Sequence, residues 1–151
     1  MPETIITAAA VVGCLVTAGV YFAFAVMVMP ALAADPHAGT TVMREVNRWA
    51  VRPPFMTLFF GTSLLCTVVV VRGLLGGDLL AGLGAVGYLV GVVITVVGNV
   101  PLNNALARGS SGGSHEGAAW AAFAGPWSRL NLARVVVSAL GGVLLLVQLL
   151  S

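Results

Sequence analysis

The chain has 151 residues, 59% of them hydrophobic and only 8% charged, with a mean hydropathy of +1.04. Soluble domains average about 25% charged residues, so this composition excludes an ordinary soluble fold and places the chain in a membrane. Seven arginines, no lysine and a net charge of +2 form no basic run, which argues against a nucleic-acid partner.

A bilayer core about 30 Å thick needs ~20 apolar residues per helix. The first stretch of that length runs from about Ile5 to Met29. It carries Glu3 and no basic residue ahead of it, and it is about twice as long as a signal-peptide core, so retention as a span is expected. Next comes "TTVMREVNRWAVRPP", in which Arg44, Arg48 and Arg52 recur every four residues. Met43, Val46, Asn47 and Ala50 form a different face. This pattern predicts an amphipathic interfacial helix with its guanidinium groups toward water or headgroups and Asn47 on the apolar side. The second span is expected from Pro54, a good helix-start residue, to Val71.

The third span is expected over Leu79 to Gly98. Gly87 and Gly91 in it make a GxxxG motif suited to close packing inside the bundle, and the same motif permits a homo-oligomer. It leads into "GNVPLNNALA", residues 98–107. If the helix continues past Pro101, the carbonyl of Val97 loses its donor and a kink is expected. Asn99 and Asn103 are four apart and share a face, where they can serve that carbonyl or a neighbouring helix. The Gly/Ser-rich "RGSSGGSHEGAAW" follows as a linker or lid. The fourth span is expected over Leu130 to Leu150. At its start Trp127, Asn131, Arg134 and Ser138 fall on one helical stripe, with Arg134 about one turn inside the apolar stretch. Ionisable groups in such positions usually face the bundle interior and mark function.

Together these elements predict an all-α fold: a four-helix transmembrane bundle in one domain, residues 1–151. Its two long connections lie on one membrane face and contain short amphipathic helical segments. That face carries Arg44, Arg48, Arg52, Arg108, Arg129 and Arg134, against Arg72 on the other, so both connections are expected in the cytoplasm. Cys14 and Cys66 sit in different spans with no CxxC spacing and read as buried apolar residues. A faint repeat relates "GVYFAFAVMVMPALA" (19–33) to "GVVITVVGNVPLNNALA" (91–107). It predicts equivalent depths for Pro30 and Pro101, and Asn47 facing Asn131 across a pseudo-twofold axis.

"GVYFAFAVMVMPAL", "MREVNRWAVRPPFM", "NVPLNNALA" and "WSRLNLARV" together resemble the anthrone oxygenase-like membrane proteins (DUF1772), from Gly19 to about Ser138. The resemblance implies a four-helix membrane protein. Its fungal members oxidise an anthrone to an anthraquinone with O2, and many bacterial members have no established role. The motif positions that carry over are Asn47, Pro54, Asn99, Pro101, Asn103, Trp127, Asn131 and Arg134.

Such chemistry calls for donors to a developing oxyanion, an aromatic pocket and a base. Arg134, Asn131 and Asn103 are the expected catalytic donors. Asn47, Asn99, Trp127, Tyr21, Phe24 and Phe55 are the expected substrate-binding residues. His37, His115, Glu45 and Glu116 are the candidate bases. Molecular oxygen is the implied co-substrate, with no bound cofactor expected. Iron or copper on two histidines and a carboxylate is disfavoured, because the histidines are 78 residues apart with no paired spacing. The alternative function is a bundle that binds or transports a small molecule or lipid without catalysis. A third possibility is a structural role, in which the polar cluster only locks helices together. The expected partners are the lipid bilayer and an apolar small molecule.

Overall fold

The computed structural model describes residues 2–109 and 114–151, with backbone alone for 114–116. Five helices carry the described chain: α1 Pro2–Ala33, α2 Pro36–Ala50, α3 Pro53–Gly76, α4 Leu79–Arg108 and α5 Ser114–Leu150. No strand occurs among the described residues. Four of these helices are long and apolar enough to cross a membrane. The protein is therefore an all-helical integral membrane bundle. Its helices are limited by local chemistry. Asp35 caps α2 by accepting from the backbone N–H groups of His37 and Ala38, with Pro36 in the first turn. Gly77, at φ 78, ends α3 in the left-handed conformation, and Asp78 then caps α4 through the Ala81 N–H.

Pro30 and Pro101 do not end their helices. Each stands two residues past the end of a single π-helical turn, Phe24–Val28 in α1 and Thr95–Asn99 in α4. The closing bonds run from the N–H of Met29 to the Phe24 carbonyl and from the N–H of Val100 to the Thr95 carbonyl. One extra residue in the turn makes room for a ring that would otherwise strike the preceding carbonyl. The two similar segments thus share one local backbone feature, a π-turn just ahead of the proline.

One end of the bundle is fixed by polar contacts: Arg72 to Glu3 at 2.8 Å and Gln148 to Asp78 at 2.6 Å. Counting about 20 residues from that end, or roughly 30 Å, reaches Ala23 on α1, Arg52 just ahead of α3, Gly98 on α4 and Ser128 on α5. Helices α1, α4 and α5 all continue past this level; α3 does not. In the projecting layer α2 takes the place of α3. Its apolar face, through Met43 and Val46, joins Met29, Leu106, Trp120, Phe123 and Trp127 in one cluster. Gly39 permits this approach: a Cβ there would lie 2.5 Å from the Leu32 carbonyl oxygen.

Of the arginine stripe, Arg48 and Arg52 are exposed as expected, and Arg44 departs from the expectation. The apolar face packs on protein rather than lipid. Arg44 turns away from water and donates to the Leu106 and Gly109 carbonyls, at 2.9 and 2.8 Å, at the C-terminus of α4. Exposed carbonyls at a helix end are a favourable partner for a cation. Arg48 pairs with Glu45, and Arg52 stacks 4.5 Å from the Trp49 ring.

A second, tighter core lies nearer the polar end, built from Ala10, Cys14, Cys66, Ala85, Tyr88 and Leu145. Here α4 and α5 nearly touch. A Cβ on Gly141 would sit 2.5 Å from the Gly84 carbonyl oxygen, and one on Gly87 3.0 Å from the Val137 carbonyl oxygen. The glycine motif of α4 thus serves packing within the chain.

Candidate functional site

Between the apolar core and the aromatic layer lies a band of buried polar side chains: Thr17, Tyr21, Asn99, Asn131, Arg134 and Ser138. Arg134 lies 14 residues from Gln148, so about 21 Å from the polar end and roughly 9 Å inside the far edge of the apolar slab. It is 5% exposed. Its Nη2 donates to Asn131 Oδ1 at 2.8 Å, and its Nη1 donates to Thr95 Oγ1 at 3.3 Å. The guanidinium lies over the Tyr21 ring at 4.2 Å and the Trp127 ring at 5.4 Å. Every one of these partners is neutral. Among the described residues Arg134 forms no ion pair, and its Nε–H has no acceptor.

The surrounding groups are held by cross-helix bonds. Asn131 Nδ2 donates to the Tyr21 carbonyl at 2.8 Å, which ties α5 to α1. Asn99 Nδ2 donates to the Trp127 carbonyl at 3.3 Å, and the Trp127 indole N–H donates to Asn103 Oδ1 at 2.9 Å. Two asparagines one turn apart on α4 therefore grip the backbone and the ring of one tryptophan. That ring sits against Phe24 at 5.7 Å and Phe123 at 5.9 Å. Among the described residues Asn99 Oδ1, like the Arg134 Nε and the Ser138 hydroxyl, is buried without a hydrogen-bond partner. Orphaned polar atoms are costly in a low-dielectric interior. Their concentration in one band sets it apart from the rest of the interior.

Of the residues named from sequence, Arg134, Asn131, Asn103, Asn99, Trp127, Tyr21 and Phe24 meet in this one assembly. Asn47 stands apart on α2, one turn from Met43, with its amide nitrogen buried and unpartnered. It makes no hydrogen bond to Asn131, whose amide is directed at Tyr21 and Arg134. Phe55 stacks on Phe59 of its own helix at 6.2 Å. Glu45 is exposed and engaged by Arg48. His37 is exposed at the first turn of α2. The side chains of His115 and Glu116 lie outside the described residues. No group of three or more His, Cys, Asp and Glu side chains comes together among the described residues.

Sequence reasoning missed Thr95. It donates to the Gly91 carbonyl at 2.9 Å and so presents its oxygen to Arg134 in a fixed orientation. The signal was available: Thr95, Asn99 and Asn103 follow one another at intervals of four and make a polar stripe facing the one on α5.

Two clefts lie at the opposite end of the bundle, the larger about 300 Å³ and lined by Glu3, Thr7, Arg72 and Asp78. At Arg134 the aromatic rings of Tyr21 and Trp127 occupy the space around the cation. The arrangement can hold an anion, or stabilise one as it forms, with flat apolar surfaces on either side.

A profile of the anthrone oxygenase family matches residues 55–144, which include α4 and most of α3 and α5. No curated protein and no solved structure matches the chain.

Proposed function

The chain belongs to the anthrone oxygenase family, and from that premise we propose that it oxidises an apolar, acidic aromatic substrate of the anthrone or hydroquinone type with O2. The observation that carries this reading is the buried Arg134 guanidinium, which among the described residues has neutral partners only and an Nε–H without an acceptor. A cation held in a dry site without a counter-charge favours the ionised form of any acid brought to it. An anthrone supplies that acid. Loss of a methylene proton places negative charge on the ring oxygen, and Arg134, oriented by Asn131 and Thr95, receives it. The enolate then reduces O2, a carbon–oxygen bond forms, and loss of water from the hydroperoxide leaves the quinone carbonyl. The balance is CH2 + O2 to C=O + H2O.

Tyr21 and Trp127, beside the guanidinium, supply ring-stacking surfaces, with Phe24 packed on Trp127. Asn99 and Asn103 hold Trp127 in register. Glu45 is engaged by Arg48, so the cation's effect on substrate acidity, with water as proton acceptor, carries the deprotonation. With Arg44 and Arg134 assigned to structure and site, Arg48, Arg52, Arg108 and Arg129 remain as topology markers against Arg72 alone. That count supports a cytoplasmic position for the two long connections. A transport function fits less well, because a packed apolar core separates Arg134 from the opposite face.

The test is oxygen uptake by the purified full chain with anthrone and a panel of hydroquinones. Uptake in the wild type that is lost in Arg134→Met supports the reading. No uptake with any member of the panel favours binding without catalysis.

A further inference from the structure

We propose that α2 is a hinged cover, latched by Arg44 and kept ready to open by Asn47, through which an apolar ring compound reaches Arg134. This rests on the reading of Arg134 as the binding site and adds its entrance.

Arg134 is 5% exposed, Trp127 4% and Asn131 0%. A molecule reaches them only when part of the protein moves. Helices α1, α4 and α5 are joined at this level by the Asn131 bond to the Tyr21 carbonyl, the Asn99 bond to the Trp127 carbonyl and the Trp127 bond to Asn103. Helix α3 is tied to the others by the Tyr88 hydroxyl, which donates to the Phe59 carbonyl at 3.2 Å, and by the Arg72–Glu3 pair. Helix α2 is embedded more lightly. Of its fifteen residues only Gly39, Thr40 and Met43 are buried. Segments with few buried apolar contacts open at low cost.

Both ends of α2 can pivot. Ala34–Asp35 joins it to α1 and Val51–Arg52 joins it to α3. Each joint leads into a proline, Pro36 or Pro53. Asp35 and Arg52 are accordingly extended, at ψ 96 and 159, and no helix runs through either joint. The inward face of α2 packs, through Met43 and Val46, in the cluster that holds Trp127, the ring beside the guanidinium. Arg44 fastens this arrangement. Its bonds to the Leu106 and Gly109 carbonyls cross from α2 to the end of α4 and must break when α2 lifts.

Asn47 works in the opposite direction. It lies one turn from Met43, and its buried amide nitrogen has no hydrogen-bond partner. Water satisfies that donor once α2 opens, so the unmet bond raises the free energy of the closed state alone. Latch and unmet donor together leave α2 shut but free to open for a ligand.

Entry is measured by stopped flow on the purified full chain in lipid nanodiscs, as quenching of tryptophan fluorescence by anthraquinone. Amide exchange of α2 is read on the same variants. Arg44→Ala removes the latch and is expected to raise the association rate constant at least fivefold. Asn47→Leu, of similar volume, removes the unmet donor. In that variant α2 amides should exchange more slowly and the association rate constant should fall at least threefold. A purely structural helix would move exchange in these directions and leave association alone. Unchanged association in both variants, whatever their exchange, would therefore overturn the proposal and leave the oxygenase reading intact. A fall in both would overturn it too, as general damage to the site. If Arg44→Ala does not fold, Asn47→Leu decides alone. Anthraquinone binding that responds to both variants, without oxidation of anthrone, would refute the proposed chemistry and keep the entrance. No binding of anthraquinone by the wild type would remove both.

Discussion

Replacing Arg134 by methionine separates a cation kept for chemistry from one kept for packing. Several interactions hold the guanidinium in place. A charge-assisted bond to Asn131 at 2.8 Å contributes about 1.5 kcal/mol. The Tyr21 ring at 4.2 Å adds about 1–2 kcal/mol, and Trp127 at 5.4 Å about 0.5 kcal/mol. Against this total of roughly 3–4 kcal/mol stands the penalty for an arginine inside the apolar slab, about 2–3 kcal/mol at this depth. Methionine removes both sides of the balance and leaves Asn131 Oδ1 unpaired, which costs about 1 kcal/mol more. The expected net loss of stability is therefore modest, about 1–3 kcal/mol, read by thermal unfolding in detergent micelles. The loss of oxidation should be large, a hundredfold or more in kcat with anthrone, because a donor to developing charge is removed. Two results would refute this. A loss of more than about 4 kcal/mol would make Arg134 a structural lock, and full oxidation by Arg134→Met would remove it from the chemistry.

Other substitutions probe the same arrangement. Asn131→Asp supplies a counter-charge beside the guanidinium but loses the donor to the Tyr21 carbonyl, at a cost of about 1–3 kcal/mol, and anthrone oxidation should fall at least a hundredfold because the cation is then neutralised by the protein. Gly141→Ala should destabilise by about 2–3 kcal/mol, since its Cβ would meet the Gly84 carbonyl oxygen at 2.5 Å. Gly19→Ala, with nothing within 4 Å of its Cβ, should be neutral or stabilising by up to about 1 kcal/mol, and melting temperatures of the pair decide it. Arg44→Ala removes two bonds to the α4 carbonyls at 2.8 and 2.9 Å. Amides of α2 should then exchange roughly tenfold faster or more, with the spans unaffected; unchanged exchange in α2 would show that packing through Met43 alone holds it.

Much of the site could be read along the chain because it lies on two helical stripes. Intervals of three and four place Trp127, Asn131, Arg134 and Ser138 on one line and Asn99 and Asn103 on another, and the structure brings the two lines face to face. Thr95 belongs to the second stripe and was passed over because one threonine in an apolar helix is ordinary. Phe55 and Arg44 show the other limit. An aromatic at the start of a span and an arginine in an amphipathic stripe look the same in sequence whether they face a site, a neighbour or water. Which partner each meets depends on helices far away in the chain: for Arg44, carbonyls more than 60 residues on.

By itself the sequence determined the class, the number of spans and the side of the bundle that carries the polar residues. These follow from hydropathy and periodicity, which are properties of a segment and need no partner. It also held the repeat around Pro30 and Pro101. Only the tertiary structure decided that both prolines are absorbed by π-turns, that α2 replaces α3 in the projecting layer, and that Arg134 is enclosed by neutral groups. Those outcomes depend on how helices distant in sequence divide a limited number of donors, acceptors and spaces. An unpaired donor becomes visible only when all its possible partners have been placed.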